Sequence, residues 1–465
     1  MKNMYKICCI LLLCVVFISN CRGQHERKER RERVKKETQT EQTDTSSAVT
    51  GSISAPVAPV TINIYIENSA SMDGYVNGET EFKDALEGLL VGMKYHYDAK
   101  NIHLYYINSG IFPISANIEK DVSSFISQLT PATIKETGNR KSSNLNNLFQ
   151  QILGNTSSDT ISVLISDCIY SIKGKNTADL LSREKNSIKD AFLSQSKQSK
   201  TDLAITVIQL YSRFSGIYYT YKDTNNQVQL NGKQRPYYMC LMGNSNTLAG
   251  FNKKIPYVKF KGYNNHLFLS ANDYSNTVQY TVLRATLKKG NFKAIKSGSS
   301  KYYTEINDAT VRGRNSSLQF AVALNLKSLP VTEEEISNVN NYTVSKGNFE
   351  IEGIYNNVSA TIAPQDKVSD ITEDMTHIIA FQSKNAAFSN LSFSLKKTNS
   401  LPEWVKDSNT EDDSTIGQDD SLMQKTFGIN YMITGIAEAY DEIFKTKYPD
   451  KDSDKYFEIT IPISK

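Results

Sequence analysis

Residues 61–75, TINIYIENSASMDGY, decide how this chain folds. Ile62, Ile64 and Ile66 alternate with Asn63 and Tyr65, the two-residue period of a strand. That strand runs directly into Glu67-Asn68-Ser69-Ala70-Ser71-Met72, so a carboxylate and two hydroxyls follow at alternate positions. Residues 80–95 then repeat Phe82, Leu86, Leu89, Leu90 and Met93 at helical spacing. Working outward, Ile102–Ile107, Ile161–Ile165, Leu203–Leu210 and Tyr237–Met242 are further apolar strands, with Ile111–Ile114 as a short edge piece. Amphipathic helices at 122–129 and 145–153 separate them. This alternation predicts an α/β domain over residues 61–255, an open, mostly parallel sheet with helices on both faces.

Beyond Pro256 the helical period disappears. Short alternating or β-branched runs, among them His266–Leu269, Leu318–Leu326, Phe349–Ile354, His377–Phe381 and Leu391–Leu395, are parted by Asn, Ser and Gly clusters. Such spacing predicts a C-terminal β-sandwich over 256–400. Residues 401–465 hold an acidic loop, a helix and a terminal strand, expected to pack on the preceding domains. The loop 406–421 lacks the Gly and Glu spacing of a calcium-binding loop and is expected to be a solvated connector.

At the other end, residues 1–21 join a basic start (Lys2, Lys6) to an apolar stretch from Ile7 to Ile18 and then Ser19-Asn20-Cys21. About a dozen apolar residues are too few to span a bilayer but suit a secretory leader. The ending resembles a bacterial lipobox, which implies cleavage before Cys21 and acylation of that residue, and so a lipid anchor in the cell envelope, on the outer membrane. Residues 22–60 carry few groups able to form a core and are read as a flexible tether. Of six cysteines, Cys8, Cys9 and Cys14 leave with the leader, so Cys168 and Cys240 remain as buried thiols or a single bridge.

Charge excludes one class of partner. The chain's net +4 equals the excess of Lys/Arg over Glu within residues 22–37 alone, and the remainder carries no basic footprint for nucleic acid. The five histidines show no zinc spacing, and neither a phosphate-cradling glycine loop nor a nucleophile elbow is present.

The chemistry concentrates after the first strand. In an open sheet, ligands bind at the carboxyl ends of strands, and hard divalent cations select oxygen donors. Glu67, Ser69, Ser71 and Met72 resemble the first loop of von Willebrand factor A domains, whose metal-ion-dependent adhesion site begins Asp-x-Ser-x-Ser. Arg140-Lys141-Ser142-Ser143-Asn144 stands where that family places a Thr, with Ser143 as the matching hydroxyl, and Ile161–Asp167 resembles the strand leading to its last Asp. The resemblance covers roughly residues 61–255. It departs at Glu67, one C–C bond (about 1.5 Å) longer than Asp, and at Cys168, where glycine usually follows.

The resemblance implies a binding module without turnover: Glu67, Ser69, Ser71, Ser143 and Asp167 would hold Mg²⁺ or Mn²⁺, and a protein partner's acidic group would complete the site. Asp73 is a substitute ligand or a turn residue. Two other functions fit the sequence. One is glycan binding by a surface nutrient-uptake lipoprotein, suggested by the lipid anchor, the polar tether and the aromatic-rich β domain; Tyr218, Tyr219 and Tyr221 form a recognition platform or pack against the neighbouring domain. The other is a metal-dependent hydrolase acting through Asp73 or Asp167.

Overall fold

A computed structural model describes residues 59–140, 144–172, 176–199, 202–221, 227–311, 316–329, 331–367, 373–397 and 401–465. The leader, the tether, Cys21 and Ser143 lie outside the described residues.

Seven strands form the first sheet: β1 (Thr61–Glu67), β2 (Ile102–Ile107), β3 (Ile111–Pro113), β4 (Thr160–Ser166), β5 (Leu203–Tyr219), β6 (Gln227–Asn244) and β7 (Tyr263–Ser270), in the order β3-β2-β1-β4-β6-β5-β7. The expectation of a mostly parallel sheet is corrected here to a mixed one. Only β2, β1 and β4 run parallel, and β3, β6, β5 and β7 each pair antiparallel. The reason lies in the connections. A parallel neighbour needs a crossover, whereas β5 and β6 are joined directly as a hairpin and β7 adds to β5.

Alternation along the strands divides two cores. Ile62, Ile64, Ile66, Val163 and Ile165 face one side with helix α1 (Glu81–His96). Tyr65, Leu164, Val207 and Cys240 face the other. There they meet α2 (Leu145–Gly154), α3 (Thr177–Ser199) and α4 (Ile429–Lys447). Helix α4 comes from the far end of the chain, and Gly435 lets it lie against α3, since a Cβ there would fall 2.5 Å from the Lys185 carbonyl oxygen.

The later strands are β8 (Gln279–Val282), β9 (Asn291–Lys296), β10 (Tyr303–Thr310), β11 (Gln319–Asn325), β12 (Tyr342–Lys346), β13 (Phe349–Tyr355), β14 (His377–Ser383), β15 (Leu391–Lys396), β16 (Asn409–Thr410), β17 (Thr426–Phe427) and β18 (Lys455–Ile461). Sheets β13-β14-β11-β8 and β12-β15-β18 are antiparallel and share a core of Phe320, Phe381, Phe393, Leu395, Phe457 and Ile461. Among the described residues, no helix is long and apolar enough to cross a membrane.

Candidate functional site at the rim of the first sheet

Parallel pairing places Ile66 of β1 beside Ile165 of β4, so both strands end at the same rim and deliver Glu67 and Asp167 side by side. Both acids are 3% exposed. The Ser166 hydroxyl donates to Glu67 Oε2. Asp167 accepts from the Ser71 hydroxyl and, through Oδ1, from the Ile169 amide at 3.2 Å. Ser69 Oγ and Ser71 Oγ are 3.0 Å apart. Four of the five expected donors are therefore brought together, from two loops one hundred residues apart in sequence; the fifth, Ser143, is outside the described residues.

The first loop is held in place by a residue between the motif positions. Asn68 is fully buried, and its Nδ2 donates to the carbonyls of Ile134 (2.9 Å) and Thr137 (3.0 Å) while its Oδ1 accepts from Asn108 Nδ2 at 2.8 Å. Gly138 follows with φ +72°, and a Cβ there would sit 2.4 Å from Asn108 Oδ1. Arg140 completes the frame. Its guanidinium donates to the carbonyls of Asn68 and Ser69 and pairs with Asp73. Asp73 is therefore a turn residue engaged by Arg140 rather than a substitute ligand.

A wall rises beyond the strand ends because β5 and β6 overrun their neighbours. Ser166 lies opposite Tyr238, and the hairpin continues past that pair through Arg235 and Phe214. Arg235 is 1% exposed. Its Nη1 donates to the carbonyls of Leu422 (2.9 Å) and Met423 (3.0 Å), its guanidinium lies 4.6 Å from the Tyr218 ring centroid, and Nε and Nη2 have no partner among the described residues. The Tyr218 hydroxyl donates to Asp413 Oδ2 at 2.7 Å, and the Tyr221 amide donates to Oδ1 at 3.0 Å.

One expectation changes here, and one open alternative is decided. The acidic loop is not simply a solvated connector, because Asp413 is 1% exposed and Ile416 fully buried against the first core. Nor do the tyrosines make a platform: Tyr218 is buried, and Tyr221 stacks on Phe427 with ring centroids 4.6 Å apart.

Electrostatics follow from this burial. Removal from water pushes the Asp167 carboxyl up to about 7, and the Glu67 charge adds to the rise; the Ser71 and Ile169 hydrogen bonds and Arg235 oppose it. Burial likewise raises Asp413 against the hydrogen bonds of Tyr218 and Tyr221. The buried Asp167 and Asp413 carboxyls both act on the buried Arg235 guanidinium, and Glu67 acts on Asp167. The donors brought together at the rim are all hard oxygens, the kind a divalent cation selects, so the residues present fit such an ion. Among the described residues no three His, Cys, Asp or Glu side chains form a metal-binding group, which leaves two carboxylates, hydroxyls and water as the available ligands.

Sequence reasoning reached Glu67, Ser69, Ser71 and Asp167 and missed Asn68, Arg140, Arg235 and Asp413. Only Asn68 carried a local signal, as a polar residue at a strand end that turned out to be fully buried. Compared with known proteins, the chain matches no family model and no curated protein.

Proposed function

We propose that this chain is a lipid-anchored envelope protein whose first domain is similar to von Willebrand factor A domains and captures a protein partner at the sheet rim. One observation carries the reading: strands β1 and β4 deliver two buried carboxylates and two serine hydroxyls to one place. Mg²⁺ or Mn²⁺, when bound, would offer a position for the partner's acidic group. Glu67 and Asp167 would hold the ion, Ser69 and Ser71 would add hydroxyls, and Ser143 is the further donor implied by the resemblance. Asn68 and Arg140 fix the loop, so the donors need little reorganisation. The later sheets, read as a β-sandwich, would space or supplement the contact.

The glycan reading has less support. Among the described residues the large hydrophobics classed as exposed are Val91, Tyr95, Ile217, Val258 and Val339, which provide no aromatic shelf on the later sheets.

Calorimetric titration of Mg²⁺ and Mn²⁺ into the full-length chain tests the proposal, with Asp167→Asn and Ser69→Ala as controls. Saturable binding in the parent that weakens at least tenfold in both variants is expected, together with partner capture that chelator abolishes. Capture that persists unchanged in chelator overturns the mechanism.

A further inference from the structure

After Cys21 the chain has two cysteines, Cys168 and Cys240, 72 residues apart. Both are fully buried in the same core. Cys240 sits within β6, opposite Leu164 of β4. Cys168 follows the end of β4, where its amide donates to Ser166 Oγ at 2.8 Å and its φ of +53° turns the chain back. That turn brings its thiol within hydrogen-bonding reach of the Cys240 thiol, and both cysteines are free in this structure. A side chain in the left-handed region is uncommon outside Gly, Asn and Asp. Here it places the two sulfurs remaining after Cys21 against each other.

We propose that Cys168 and Cys240 are a disulfide site, oxidised in the compartment to which the leader directs the chain. The oxidant is a protein or small-molecule disulfide. One cysteine thiolate attacks it, forming a mixed disulfide and releasing one thiolate. The second cysteine thiolate then attacks the mixed disulfide, forming the Cys168–Cys240 bond and releasing the other. Two protons and two electrons leave the pair, and the oxidant ends as two thiols. Both thiols are fully buried, so exchange is slow once the core has closed and the bond forms during folding. The bridge ties the strand end bearing Asp167 to β6. It is independent of cation binding but rests on the export reading.

The test isolates the full-length chain from cell envelopes, blocks free thiols in denaturant at lysis, and maps peptides without reductant. A linked Cys168–Cys240 peptide is expected, with a melting temperature that falls by several degrees on reduction. The Cys168→Ser/Cys240→Ser variant should be indifferent to reductant. Recovery of both cysteines alkylated overturns the proposal. Refolding the reduced, unfolded chain with oxidised glutathione then separates the causes. A bridge formed there but missing from envelopes faults the export reading; free thiols in both fault the sulfur geometry.

Discussion

Asp167 shows what one buried carboxyl does to the rim. Its pKa is raised from 3.8 to about 7, so between those values the folded chain binds more protons than the unfolded one. Stability therefore falls as pH rises through that window, and the penalty is complete above it. Asp167→Asn keeps the shape and removes the charge. In calorimetric scans from pH 4.5 to 7.5, the parent should lose several degrees of melting temperature relative to this variant. Parallel curves would show that Asp167 does not carry the effect. The residue itself was legible, because an acid directly after an apolar strand stands out in Ile161–Asp167. Its electrical surroundings were not. Arg235 and Asp413 reach this rim from 68 and 246 residues further along the chain, through strand pairing that no local pattern specifies.

At the scale of elements, the loop after β1 depends on a side-chain amide. Asn68→Ala would leave the Ile134 and Thr137 carbonyls and Asn108 short of partners in a buried setting. A loss of about 2–4 kcal/mol in urea unfolding is expected; less than about 0.5 kcal/mol would mean the loop is held by Arg140 alone. The hairpin depends on glycine instead. A Cβ on Gly74 would lie 2.4 Å from the Phe214 ring, and one on Gly216 would lie 2.9 Å from the Gly74 Cα. Gly216→Ala should therefore cost about 1–3 kcal/mol in the same assay, by forcing β5 off the helical turn Asp73–Val76. Periodicity gives the strands Leu203–Leu210 and Tyr237–Met242 with residues 211–221 and 227–230 as a hairpin inserted between them, whereas in the structure all of these are one continuous pair. The register shift between Phe214 and Gly216 explains this, because one extra residue reverses which side chains face inward. The acidic loop misled for a related reason: Asp413 can be buried only because Tyr218 meets it from 195 residues away.

For the molecule as a whole, the alternating strand and helix pattern of residues 61–255 was enough to place the α/β part. It also put the terminal strand with the later sheets, as the pairing of β18 with β15 bears out, but it did not show where the preceding helix docks. The apolar face of α4 was visible in Tyr440 and Ile443, yet amphipathicity names no partner. In the structure Ile433 and Ile436 are buried in the core of the first sheet, and Tyr440 packs on Phe192 at 5.8 Å. Strand β18 pairs instead with β15 of the later sheets. A chain ending at Lys425 should thus lose both cores, visible as loss of near-ultraviolet circular dichroism and of cooperative melting. A truncated chain that still melts sharply would contradict this packing.

That return of α4 also sets an order of events. Strand β1 is made early, but the helix that seals one side of its sheet emerges from the ribosome some 360 residues later. Until then the greasy underside formed by Val207, Cys240 and Met242 has α2 and α3 over it but not α4. The nascent polypeptide must be kept from sticking by holdase chaperones, and a stalled or prematurely terminated product would be an immediate client for proteolysis.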